Sequence, residues 1–224
     1  MEAKKRLDVS QAIKGAFDIG LKNVFTVLGA SLLWVITVWI PYLNIGTTIA
    51  FFTVLPVKLA KGEPFSPTEI FDEKYRENMT NFFLILGLIN AAIGFALLLF
   101  IFPGIVVTFA WLLAPILVMN FGEKPIESLS KSYQLTYGSK WPMFFSYLII
   151  GIILFIISLI MGLIIAGITY LATWLGAFLG FILYVAYFAV SLALYIGLFA
   201  QIIKSLVLEE PAEEAPAAPI APEA

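Results

Sequence analysis

The sequence has 224 residues, of which 61% are hydrophobic and only 12% charged, with a formal net charge of −2. Soluble chains carry about 25% charged residues, so this composition, with a mean hydropathy of +0.99, excludes an ordinary water-soluble globule. The near-neutral balance without a basic tract argues against nucleic acid as a partner, and the absence of cysteine and histidine excludes disulfides, thiolate sites, histidine-ligated haem and Ser-His or Cys-His nucleophile pairs.

Residues 1–22 predict an amphipathic helix. Val9, Ile13, Ala16, Phe17, Gly20 and Leu21 recur at helical spacing, with Lys14 and Asp18 on the other side. The segment is too long and too amphipathic for a cleavable signal, so the first apolar run is expected to stay in the mature protein. Helices of this kind lie in the membrane interface and brace the spans, sense lipid or dock a partner.

Three stretches then carry no acidic or basic residue: 23–57, 78–122 and 141–203. A charge at the bilayer centre costs roughly 2.5–3.5 kcal/mol on insertion scales, and a spanning helix needs about 20 apolar residues. Each stretch therefore holds two helices. The predicted fold is an all-α polytopic transmembrane bundle of six spans, arranged as three hairpins over residues 23–206. The first hairpin, 23–57, has arms of about 17 residues, the lower edge for a crossing. A re-entrant pair that dips without crossing is the alternative.

Between the first two hairpins, Ser66-Pro67-Thr68-Glu69 reads as a helix start, with an N-cap, proline at the first position and an acid at the third. Phe71, Tyr75 and Met79 follow as a stripe. The second hairpin turns at Phe102-Pro103-Gly104. Its polar candidates are Asn90 and Thr108, and Gly87 with Ala91 marks a helix-packing face. Residues 123–140 repeat the amphipathic plan, with Ile126, Leu129, Tyr133 and Tyr137 opposite Glu127, Lys131 and Gln134. The third hairpin opens on Trp141 and turns near Thr173-Trp174-Leu175-Gly176. Ser158 is its polar candidate. Ser158/Gly162/Ala166, Gly176/Gly180 and Ala189/Ala193/Gly197 carry small residues four apart, the spacing of close helix contacts. Residues 207–224 are nearly all Pro, Ala and Glu and predict a disordered tail.

The hairpins share a plan that suggests an internal repeat. Gly62-Glu63 and Gly122-Glu123 lie sixty positions apart, Pro41 and Pro103 stand at hairpin tips, and Pro56 and Pro115 interrupt second helices. Paired crossings put every Lys and Arg on one face, which the positive-inside rule makes cytoplasmic. Both termini are expected inside, in the cell membrane, with the turns at Pro41–Asn44, Phe102–Gly104 and Thr173–Gly176 outside.

The run FPGIVVTFAWLLAPILVMNFGEKPIESLSKSYQLTYGSKWPMFF resembles the membrane domain found beside some glycerophosphoryl diester phosphodiesterases, and related multi-pass prokaryotic proteins. Pro103-Gly104, Ala114-Pro115, Glu123, Ile126 to Leu129, Ser132-Tyr133, Gly138 and Trp141 carry the likeness. The resemblance implies a six-helix membrane domain and no catalytic residue. Where such a domain joins a phosphodiesterase, catalysis belongs to a separate barrel of about 250 residues, for which this sequence has no room.

No intramembrane residue is ionisable, which argues against a proton-coupled path. No catalytic residue, cofactor or metal is predicted. The expected role is a non-catalytic membrane protein that organises lipid or serves as an accessory or scaffold subunit. Its expected partners are membrane lipids and a second copy or another membrane protein. A transporter or channel for a neutral or amphipathic solute is the alternative, motivated by the repeat and the proline-broken helices. An intramembrane enzyme would be left with Ser, Thr or Tyr and no visible base.

Overall fold

A computed structural model describes residues 6–209, all in helices, turns and short connections without a strand. Asp8 caps α1 (Val9–Lys22) by accepting the Gln11 backbone N–H at 2.9 Å. The chain bends by 73° at Asn23 into α2 (Val24–Thr37). At 14 residues, α2 is about 21 Å long, short of a hydrocarbon core of about 30 Å.

Proline chemistry shapes the next segment. Pro41 opens α3 (Pro41–Ile49). A π turn over Ala50–Val54 leads into α4 (Leu55–Lys61), which has Pro56 in its first turn. Pro56 has no N–H to offer the carbonyl four residues back, and the wider turn absorbs its ring. Gly62 ends α4 at φ 73°, a left-handed cap that favours glycine. The second hairpin repeats these devices. Helix α6 (Met79–Leu99) turns into α7 (Ile101–Ala110). The chain breaks at 111–113 just ahead of Pro115, and α8 (Ala114–Phe121) ends on Gly122 at φ 70°. Between the hairpins lie a 3-10 turn (Pro67–Phe71) and α5 (Lys74–Glu77). After α9 (Pro125–Leu135) come the two longest helices, α10 (Lys140–Leu171) and α11 (Thr173–Ile203), the latter continued by a π turn to Leu208. The expectation for the tail lies, beyond Glu209, outside the described residues.

Five segments are long and apolar enough to cross a membrane: Pro41–Lys61, Met79–Leu99, Ile101–Phe121, Lys140–Leu171 and Thr173–Leu208. A sixth appears only if α1 and α2 are counted as one bent span. The five differ in surroundings. Two-thirds (67%) of the apolar window in Pro41–Lys61 is buried within the protein, against 11% in Lys140–Leu171. The first is therefore a core element, and the second faces outward along most of its length. The core gathers Phe51 and Leu55 around α4, Leu113 and Ile116 around α8, and Leu198 and Ile202 from the end of α11.

Helix α1 packs against α11 through its smallest residues. Ala12 and Ala16 are fully buried. A Cβ built on Gly20 would fall 2.5 Å from the Ala193 carbonyl oxygen, and one on Gly197 would fall 2.6 Å from the Gly20 backbone nitrogen. The two backbones thus touch where glycine leaves room.

Two contacts depart from the upright three-hairpin expectation. The segment 62–77 folds back along the first hairpin. Pro67 lies against Gly29, Ile70 is fully buried, and the Arg76 guanidinium stacks 5.1 Å over the Tyr42 ring. Tyr42 was expected outside and Arg76 inside, and groups in contact cannot sit on opposite faces of a core about 30 Å thick. These contacts set the tip of the first hairpin against the segment that precedes α6, an arrangement that the re-entrant alternative accommodates. Likewise Phe102, at the second tip, lies 6.4 Å from Trp141 at the base of the third hairpin. The tip of α6–α7 is therefore level with the first residues of α10.

Candidate functional site

An open-sided groove of about 500 Å³ lies between the α6–α7 turn and the first half of α10. Leu97, Thr108, Phe109, Phe144, Tyr147 and Phe155 are among its walls. Helix α7 supplies one side because Phe109 meets Phe144 and Tyr147 at 6.1 and 5.9 Å between ring centroids. Tyr147 in turn stacks on Tyr195 of α11 at 6.1 Å. Gly104 and Gly151 also line the groove. Its surface is apolar except for the hydroxyls of Thr108 and Tyr147, and Thr108 spends its proton on the Gly104 carbonyl at 2.8 Å.

A small cleft between Lys140 and Trp141 shares Ile105 and Phe109 with this groove. Lys140 thus stands at one end of it. Its Nζ lies 4.0 Å from the Tyr133 ring centroid and 5.6 Å from that of Tyr137.

The three polar candidates do not form one site. Thr108 lines the groove. Asn90 is exposed on α6 and donates to the Leu86 carbonyl of its own helix at 2.8 Å. Ser158 is half-buried on α10, outside the groove lining. The small residues also divide. Ala193 and Gly197 lie at the α1 contact. A Cβ on Gly176 would meet Thr169 backbone, and Gly180 and Gly162 face Ile165 and the Tyr184 hydroxyl across the α10–α11 pair. Gly87, Ala91 and Ala166 are exposed, and a Cβ on Gly87 would meet open space.

Sequence reasoning missed Lys140 and Arg76. A Lys-Trp pair at the edge of an uncharged stretch was the available signal for the first. Nothing local marks Arg76. Its side chain is 10% exposed, its Nη2 lies 3.4 Å from Glu73, and its Nη1 is buried without a hydrogen-bond partner.

The fold-back segment is pinned by a polar cluster. Lys58 Nζ donates to Glu69 Oε1 at 2.6 Å, and the Tyr75 hydroxyl donates to the same oxygen at 2.8 Å. Burial pushes the Glu69 carboxyl up, but the Lys58 and Tyr75 hydrogen bonds and the charges of Lys58 and Lys74 together outweigh it and hold the group below its ordinary value. Burial and the Glu69 carboxylate push the Tyr75 hydroxyl well up, so it remains a donor. A carboxyl depressed in the folded state stabilises fully above its unfolded pKa, and that contribution is lost as pH falls through the folded value. Glu69→Gln is therefore expected to melt below the wild type at neutral pH, with the gap closing as the pH falls through and below the ordinary carboxylate range. Melting curves in detergent across that range check it, and a gap that widens on acidification would contradict it.

No known family, curated protein or solved structure matches this chain. Its functional reading therefore stands on geometry and chemistry.

Proposed function

We propose that this protein is a non-catalytic component of the cell membrane that organises lipid or serves as an accessory subunit, with both termini cytoplasmic. The groove between α7 and α10 carries this reading. It is apolar and open-sided, and it lies on helices whose outer faces are covered with large hydrophobic residues such as Phe145, Phe155 and Phe102. A trough of this kind receives a chain from the side, as lipid would arrive. In this reading α10 and α11 cross fully, the first hairpin is re-entrant, and the second leans its tip on α10.

The test is purification in mild detergent followed by mass spectrometry of what accompanies the protein. Specific lipids or a defined protein partner are expected at constant ratio. Monodisperse protein with neither would remove the reading.

A second reading, a transporter for a neutral or amphipathic solute, is favoured by the interrupted helices at Ala50–Val54 and 111–113, because broken helices build transporter sites. Solute flux into liposomes would support it. Asn90→Leu is expected to leave any such flux unchanged, since Asn90 faces outward and bonds its own helix.

A further inference from the structure

We propose that the groove holds one acyl chain of an anionic phospholipid from the leaflet on the Lys140 side, with the lipid phosphate at Lys140. This deepens the lipid-organising reading and rests on it.

Lys140 is the last charged residue before the uncharged run 141–203, so it marks the level at which α10 leaves the charged face. Among the described residues no carboxylate lies within ion-pair distance of it. Two tyrosine rings hold its ammonium instead. Ring faces attract a cation without accepting its protons in the directional way an oxyanion does. The ammonium therefore keeps donors for a phosphate. Arg6 lies against Gly138, two positions before Lys140, and adds positive charge at the same end of α10. Trp141, beside Lys140, suits the ester level of a bilayer, where indole rings concentrate.

From that polar end the surface turns apolar. Phe109 joins the Lys140 cleft to the groove, and Phe144, Tyr147 and Phe155 continue it along α10. Phe144 to Phe155 spans about 16 Å of helix rise, a length that an acyl chain follows within one leaflet. The contact of Phe102 with Trp141 keeps the α6–α7 tip in that leaflet. A cation at the interface and an oily trough leading inward match the two ends of a phospholipid, and the unpaired charge selects an anionic one.

Native mass spectrometry of the full chain, after incubation with dioleoyl-phosphatidylglycerol or dioleoyl-phosphatidylcholine, tests this. The anionic lipid is expected to be retained about fivefold better, the effect of one interfacial lysine. Lys140→Gln is expected to bring the two lipids to parity, and Lys140→Arg to keep the preference. Leu148→Trp, which fills the groove from an exposed position on α10, is expected to remove both. Equal retention of the two lipids by the wild type would overturn the anionic assignment and leave the lipid-organising reading standing. A preference untouched by both Lys140→Gln and Leu148→Trp would overturn the site. Retention of neither lipid would overturn the inference together with the reading beneath it. Elution of each variant as a single detergent-solubilised peak shows that it is folded.

Discussion

Gly197→Leu is expected to lower the melting temperature sharply, because the space its side chain needs is occupied by backbone. A Cβ at this position would lie 2.6 Å from both the Ala16 carbonyl oxygen and the Gly20 nitrogen, and 2.8 Å from the Gly20 Cα. None of these atoms can rotate away as a flexible side chain would. Helices α1 and α11 would have to separate, losing the fit of Ala12, Ala16 and Ala193, all fully buried. Overpacking a tight core costs about 1–3 kcal/mol and occasionally more, against a typical net stability of about 5–15 kcal/mol. A backbone clash belongs at the upper end, so about 3 kcal/mol is expected. Thermal melts followed by size-exclusion chromatography measure it. Gly87→Leu is the control, since a Cβ there meets nothing within 4 Å. If Gly197→Leu melted with the wild type, the α1–α11 contact would be wrong.

The second large effect concerns sidedness. The sequence has no cysteine, so single cysteines can be introduced without background. Glu63→Cys marks the charged face and Thr173→Cys the tip of the α10–α11 pair, and both positions are exposed. These two are expected to react with a membrane-impermeant maleimide from opposite sides. Pro41→Cys, at the exposed tip of the first hairpin, is expected to react from the Glu63 side. The reason is the Arg76 guanidinium on Tyr42, which ties that tip to a segment carrying Glu73, Lys74 and Glu77. A cation with a buried, unpartnered Nη1 is tolerable near water and costly deep in hydrocarbon. Labelling of Pro41→Cys from the Thr173 side alone would show that the first hairpin crosses after all.

Much of the architecture was legible because its causes are local. A missing N–H at Pro56 and Pro115 disrupts a helix whatever surrounds it, and the structure places a π turn and a break beside them. Gly62 and Gly122 end helices for an equally local reason. Small residues four apart show where a backbone can be approached closely, but not by which helix. The partner of Gly197 is Gly20, on a segment read as an interfacial helix. The fold-back of 62–77 was hidden for a related reason. Uncharged runs show which segments tolerate lipid, while the stacking of Arg76 on Tyr42 depends on α3 and α5 meeting. The groove needs residues from α6, α7 and α10, spread from Leu97 to Phe155, and no spacing rule joins them.

The length of α10 has a consequence for where the protein can live. Its 32 residues rise about 48 Å, against about 30 Å of average hydrocarbon. With only 11% of its apolar window shielded by the protein, the surplus cannot be hidden inside the fold. It must be accommodated by leaning, by local swelling of the lipid, or by extension into the headgroup layer. Each costs a fraction of a kcal/mol per Å of mismatch. In the full crossing proposed for α10, thin membranes fit this helix poorly and thicker ones fit it better.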